Sequence, residues 1–321
     1  MAATDHIPSA APSNNWLANQ PYLLLSLTAL FWAGNAVIGR AVAGHIPPVT
    51  LAFIRWGGAF LIVLPFSWRY LVQDWPVIRR HFGIMVLISI AGIGAFNTLQ
   101  YLALERTGAL NILLLQSAGP LFVAIWSLAL LGIPLTLKQG IGLCVSLFGV
   151  LAILLKGDLS ALAAIRFNDG DLLFILALAI FGFYSVMALK RPAIDGMSFL
   201  AFTFGCGAIV QIPLVVWEMK VRPMMQIDLP NLLALAYVMV FPSTLAYLFF
   251  NRGVQLIGAN RAAPIFHLIP AFGSIMAIVF LGEQLHMFHL VGYALVLTGV
   301  VIAARAPKAP VAEGEQAAPP S

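Results

Sequence analysis

Ten apolar stretches, each near the length of a bilayer crossing, occupy most of this chain and leave it few ways to fold. A helix needs about 20 mainly apolar residues to span the hydrocarbon core, where the backbone must satisfy its own hydrogen bonds. The stretches run from Pro21 to Val42, Pro47 to Phe66, Phe82 to Leu104, Gly108 to Leu131, Thr136 to Leu155, Gly170 to Leu189, Met197 to Met219, Leu229 to Phe250, Gly258 to Leu281 and His286 to Ala304. Most links between them are short, so successive helices are expected to run antiparallel and pack as neighbours. The fold class this predicts is an all-α integral membrane protein with ten transmembrane helices. Composition agrees: 321 residues with only 9% charged and 61% hydrophobic cannot clothe a soluble domain, whose charged share is typically about 25%. A cytosolic enzyme and a nucleic-acid binder are excluded on that ground, and the formal charge of +5 belongs to membrane topology.

Lys and Arg fall unequally on the two sides of such a bundle. Arg69, Arg79, Arg80, Lys138, Lys190, Arg191, Arg252, Arg305 and Lys308, nine in all, share one side; Arg40, Arg106, Lys156, Arg166, Lys220 and Arg222, six in all, share the other. By the positive-inside rule both termini are then cytoplasmic. The first twenty residues carry no Lys or Arg, so Pro21 onward is read as a retained span. The tail rich in Ala, Pro and Glu is expected to be disordered. Cys144 and Cys206 have no partner at ligand spacing and are read as packing residues.

The chain also repeats itself. NTLQYLALER at 97–106 returns as STLAYLFFNR at 243–252, so that Thr98, Leu99, Tyr101, Leu102 and Arg106 match Thr244, Leu245, Tyr247, Leu248 and Arg252. At a shifted register the match continues: Gly108-Ala109 with Gly258-Ala259, Pro120 with Pro270, Phe122 with Phe272, Leu131-Gly132 with Leu281-Gly282, Gly142 with Gly292 and Gly149-Val150 with Gly299-Val300. Shared Gly, Pro, Tyr, Thr and Arg in one order point to duplication. Five helices per copy is an odd number, so the second copy enters the membrane in the opposite sense. Such inverted-topology repeats are common in secondary transporters, whose two halves exchange conformations around a central site. The expected organisation is an N-terminal cytoplasmic segment (1–20), a first five-helix repeat (21–155), a linker (156–169), a second five-helix repeat (170–304) and a cytoplasmic tail (305–321).

Three segments resemble a known family. ALFWAGNAVIGR, from Ala29 to Arg40, is similar to the opening of the drug/metabolite transporter superfamily, EamA type; ALAIFGFYSVMALKR, from Ala177 to Arg191, resembles the opening of that family's second repeat. PAFGSIMAIVFLGEQLHMFHLVGYALVLTGVVI, from Pro270 to Ile302, looks like its most recognisable stretch. Two positions depart from the pattern: Ile133 stands where Glu283 does in the second repeat, and Phe181 replaces an expected Trp. The resemblance implies a secondary transporter exporting small metabolites across the bacterial inner membrane, and among its branches the chain is most similar to the aromatic amino acid exporters. A multidrug or nucleotide-sugar carrier is the alternative within transport. An intramembrane enzyme lacks support, since there is no HExxH motif and no aspartate pair at midplane.

Polar side chains at membrane depth are the candidate substrate contacts. Asn97, Gln100 and Tyr101 share one helical face, and Ser243, Thr244 and Tyr247 form its repeat-related counterpart. Trp32, Asn35, Gln116, Ser117, Tyr184 and His267 complete the expected lining. Pro120, Pro264 and Pro270 each remove a helical hydrogen bond and are the candidate gating positions. Asp and Glu keep to the span ends, which suits alternating access without carboxylate-based ion coupling. Arg55 is expected to snorkel or serve structurally, with binding of a substrate carboxylate as the alternative. No cofactor or metal is expected; the partners are a small-molecule substrate and the lipid bilayer, with neutral or aromatic amino acids as the expected solutes.

Overall fold

The computed structural model describes residues 16–133, 136–156, 168–258, 262 and 266–304. Among these residues the chain forms helices and no strand. In chain order they are α1 (Pro21–Ala41), α2 (Pro48–Arg80), α3 (Phe82–Leu104), α4 (Ala109–Leu131), α5 (Leu137–Leu154), α6 (Asp169–Ala188), α7 (Gly196–Val221), α8 (Leu229–Ile257), α9 (Leu268–Leu281) and α10 (Met287–Ala304). The helices α1 to α8 are long and apolar enough to cross a bilayer, while the apolar helices over 268–281 and 287–302 are shorter.

Local chemistry fixes many of the ends. Thr136 and Gln139 form a capping box at α5, and the side chains of Asn168, Asp195 and Asp228 accept backbone N–H groups at the starts of α6, α7 and α8. Gly132 and Gly282 end α4 and α9 in the left-handed region, at φ +64° and +66°. A residue with a Cβ is strained there, which explains why this Gly recurs in both repeats.

The second and eighth spans run further than the sequence reading placed them; the eighth was expected to stop at Phe250, and α8 continues to Ile257. The second span was expected to stop at Phe66, yet α2 continues through Pro65 and Pro76 to Arg80. The extension is held by tertiary contact: Ile78 is fully buried, and Asp74 accepts hydrogen bonds from the Asp195 N–H (2.9 Å) and the Ser198 hydroxyl (2.6 Å) of α7. The ninth span was expected from Gly258; its described helix is Leu268–Leu281, and the expected start falls largely outside the described residues. Asn260, Arg261 and the candidate gating residue Pro264 lie outside the described residues, as do most of 156–169 and all of 305–321.

Packing exchanges the two halves. Helix α2 lies against α7 and α5 against α10, while α1 packs on α8 and α9 as α6 packs on α3 and α4. Both matched pairs are antiparallel. Glu218 near the end of α7 caps the start of α2, and Asp74 near the end of α2 meets the start of α7. In the other pair Gly149 opposes Gly292, and Gly299 opposes Gly142. A Cβ on Gly149 would lie 2.5 Å from the Gly292 carbonyl oxygen, so only glycine admits this crossing. Apolar lipid offers little hydrophobic incentive for helices to associate, and close backbone approach at small residues supplies the contact instead.

One end of the bundle collects acids. Glu283 accepts the N–H groups of Ala109 (2.7 Å) and Leu110 (2.8 Å) at the start of α4. Glu218, 1% exposed, accepts those of Val49 (3.0 Å) and Thr50 (2.7 Å). Glu105 pairs with Arg222 at 2.6 Å, which raises the guanidinium pKa further, and Arg40 donates to the Leu104 carbonyl at 2.7 Å. Asp171, fully buried, accepts from Thr107 (2.6 Å) and Asn111 (3.3 Å), whose amide oxygen meets His289 at 2.8 Å. These ties join α1, α2, α3, α4, α6, α7, α9 and α10 at one face, called here the acidic end.

Candidate functional site

Two of the crossing helices change their winding at the same place. Helix α3 takes a π-helical turn over Ile90–Ala95, and α8 takes one over Val240–Leu245. Wider winding displaces backbone carbonyls from their usual partners, and such turns recur at functional sites. Polar side chains recover them. Asn97 donates to the Gly92 carbonyl (3.1 Å) and Ser243 to the Val238 carbonyl (2.8 Å), each five residues back. Thr98 and Thr244 bond the Gly94 and Met239 carbonyls at 2.7 and 2.9 Å. Asn97 and Ser243 occupy the same position of the repeat, so the two halves carry one device.

Between these turns lies Arg55. Its Nε donates to the Ser243 hydroxyl at 2.6 Å, and one terminal nitrogen donates to the Asn97 amide oxygen at 2.8 Å and the Tyr101 hydroxyl at 3.0 Å. Tyr101 in turn donates to the Asn35 amide oxygen at 2.6 Å. The guanidinium carbon stands 4.4 Å from the centre of the Trp56 ring. Arg55 is 2% exposed, so it does not snorkel. Seven residues separate it from the start of α2, which sets its Cα about 10 Å below the acidic end at a helical rise of about 1.5 Å per residue.

The energetics show what holds it there. An arginine at helix centre costs about 2.5–3.5 kcal/mol on insertion scales. Hydrogen bonds to a charged group contribute about 1.5–3 kcal/mol each, and a buried cation–π contact up to about 2 kcal/mol. Three such bonds and the Trp56 face therefore offset the burial. They do not neutralise the charge, because every side-chain acceptor on Arg55 is neutral. Among the described residues the ion pairs are Arg106–Asp169 and Arg222–Glu105, both at the acidic end.

Aromatic rings enclose the cluster. Tyr247 meets Trp32, Trp56 and Phe204 edge to face at 5.6, 6.0 and 5.5 Å between centroids. Trp32 donates its indole N–H to the Pro242 carbonyl at 3.0 Å, inside the π turn of α8, and stacks on Phe266. A shallow apolar recess opens beside Trp32, lined also by Thr28, Phe250 and Phe266. The Tyr237 hydroxyl sits against Gly34 and the Tyr184 ring against Gly92, where a side chain would collide with either.

The structure thus brings together Asn35, Asn97, Tyr101 and Ser243 on Arg55, with Trp32 and Tyr247 in the surrounding wall and Tyr184 against the π turn of α3. Gln100 is buried beside them but bonds none of the Arg55 partners. Thr244 is spent on its own backbone. Gln116 and Ser117 lie elsewhere, in a 3-10 turn of α4 that packs toward α5 and α10. His267 precedes the first residue of α9 rather than standing mid-helix, its carbonyl 3.5 Å from the Tyr293 hydroxyl. Pro120 and Pro270 fall in the first turns of their helical segments, where a proline N–H would be unpaired in any case. Sequence reasoning gave Arg55 a secondary place and missed the π turns. The signal available was Ser243-Thr244 matched to Asn97-Thr98, side chains able to take up displaced carbonyls.

Comparison with known proteins places this geometry. The profile of the EamA-like transporter family matches residues 19–155 and 168–305. The chain is 26% identical over 287 residues to the uncharacterized transporter YyaM of Bacillus subtilis, covering 88% of this chain and 92% of that one. It is likewise 26% identical over 296 residues to an uncharacterized transporter of Archaeoglobus fulgidus, covering 88% and 97%. A solved crystal structure shares the fold at a TM-score of 0.58 and 16% identity, over 88% of this chain and 96% of the other.

Proposed function

Since the chain belongs to the EamA-like transporter family, and is a multi-pass membrane transporter rather than an enzyme, we propose that it exports neutral or aromatic amino acids by alternating access. The carrying observation is the convergence of two repeat-related π turns on one buried polar cluster. In this reading the chain makes ten crossings, as two five-helix repeats of inverted topology over 21–155 and 170–304. The antiparallel pairing of α2 with α7 and of α5 with α10 supports it. Both termini are cytoplasmic, at the inner membrane of a bacterium, and the acidic end faces outward.

Alternating access follows from the symmetry: a cluster held equally by both halves can be reached from either side as the halves exchange roles. The substrate-binding set is Trp32, Asn35, Asn97, Tyr101, Tyr184, Ser243 and Tyr247, with Gln100, Thr244, Gln116, Ser117 and His267 as outer positions. Pro120 on α4 and Pro270 on α9 are the candidate gating positions, with Pro264, outside the described residues, as the third. Carboxylates near the cluster are lacking among the described residues, which favours facilitated transport or exchange over proton coupling. Purified protein in liposomes loaded with labelled amino acids tests this. Flux above empty liposomes, unchanged by a pH gradient in the wild type and in His267→Ala alike, is expected; no flux of any amino acid refutes it.

A further inference from the structure

We propose that Arg55 is an anion-binding subsite that takes the single carboxylate of an amphipathic solute, an amino acid included, with an aromatic or apolar body against the surrounding rings. The proposal rests on the transport reading and narrows its substrate class.

Three observations carry it. The first is charge. Arg55 is 2% exposed and its hydrogen-bonding partners Ser243, Asn97 and Tyr101 are all neutral. Structural arginines at this depth ordinarily pair with a carboxylate, because a fixed counter-charge costs less than a bare ion. Here each described acid of the nearby acidic end is committed elsewhere: Glu218, Glu283 and Asp228 to helix starts, Glu105 to Arg222, Asp169 to Arg106, and Asp171 to Thr107 and Asn111.

The second is the donor inventory. A guanidinium carries five N–H donors in a planar fork. Nε and one terminal nitrogen are engaged, while the other, Nη2, donates to none of the described residues. A carboxylate is the small anion whose oxygens suit that fork.

The third is position. Asn97 and Ser243 hold the guanidinium from opposite halves of the repeat, so an anion on Arg55 sits where both halves meet. Trp56 lies under the guanidinium at 4.4 Å, the Tyr101 ring centre is 5.9 Å away, and Tyr237 and Tyr247 are within its electrostatic reach. One fixed cation balances one negative charge. A phosphate dianion or a nucleotide sugar would bring uncompensated charge to bilayer depth, which sets the class at monocarboxylates.

The test compares ligands on the full-length wild-type protein in detergent by isothermal titration calorimetry, using 3-phenylpropionate, L-phenylalanine, phenethylamine and inorganic phosphate. The two carboxylates should bind, with phenethylamine and phosphate at least about tenfold weaker. Arg55→Lys should weaken 3-phenylpropionate about tenfold, and Arg55→Gln should abolish its binding. If Arg55→Gln fails to fold, the wild-type ligand series decides alone. Phenethylamine binding as tightly as 3-phenylpropionate, or wild-type affinity in Arg55→Gln, would overturn the proposal. Absence of carboxylate binding alongside measurable amino-acid flux in liposomes also overturns it while leaving transport intact. Carboxylate binding without any flux supports the subsite and refutes the transport reading.

Discussion

Glu283 offers the sharpest test of how the acidic end is closed. It follows α9, yet both its oxygens are spent on α4, accepting the Ala109 N–H at 2.7 Å and the Leu110 N–H at 2.8 Å. The start of a helix has unpaired donors and a partial positive charge of about half a unit, so a carboxylate there is doubly favoured. Charge-assisted bonds contribute about 1.5–3 kcal/mol each at full burial. Glu283 is only partly buried, so about 2 kcal/mol for the pair is the reasoned figure, at the top of the range for helix caps. Glu283→Ala should therefore lower Tm by about 4 °C or more, at roughly 2–4 °C per kcal/mol. The same loss should raise the population open at the acidic end about thirtyfold, since about 1.4 kcal/mol is a factor of ten. Leu110→Cys, at a site 2% exposed, reports that opening in a background without Cys144 and Cys206. Its labelling by a polar maleimide should accelerate by that factor when Glu283→Ala is added. Unchanged labelling and unchanged Tm would refute the assignment of Glu283 as a strap between α9 and α4. In the first repeat Ile133 stands at the corresponding place, so the strap exists in one half only.

Packing and capping yield further expectations. Gly149→Ala should lower Tm by several degrees, because its Cβ would meet the Gly292 carbonyl oxygen at 2.5 Å and the Val296 nitrogen at 2.7 Å; overpacking of this kind costs about 1–3 kcal/mol. Gly140→Ala, on the same helix with nothing within 4 Å of the new Cβ, should leave Tm unchanged or raise it slightly. Glu218→Ala should cost about 2–4 kcal/mol by thermal melting, since two buried N–H groups and the Thr50 hydroxyl lose their acceptor. Glu105→Gln should cost less, about 1 kcal/mol or under, because its Arg222 partner is 34% exposed and water takes over the lost contact.

Much of this architecture was legible in the sequence because the bilayer allows so little else. Runs of apolar residues near twenty long became helices within a few residues at α1, α3, α4, α5, α6 and α7, and the Leu-Gly ends of α4 and α9 fell where φ must be positive. The repeat could be read as well, since Gly142 and Gly149 recur as Gly292 and Gly299, small residues at the crossing where two backbones touch. Asn97, Tyr101 and Ser243 stood out as polar groups in apolar helices, and folding brings them together. The extension of α2 past Phe66 was not legible, because its cause is the contact of Asp74 with Ser198, 124 residues away.

The sequence by itself determined that the chain lives in lipid, that it is two copies of one unit, and that its acids avoid the centre. Tertiary structure alone decided what Arg55 is. Read along the chain it is a lone charge early in a span, which snorkelling would explain. In space, the π turns of α3 and α8 deliver Asn97, Tyr101 and Ser243 to it from both halves and bury it with no counter-ion among the described residues. Hydrophobic pattern records how far a residue lies along its own helix, whereas the partners of a charge are set by crossings between helices distant in sequence.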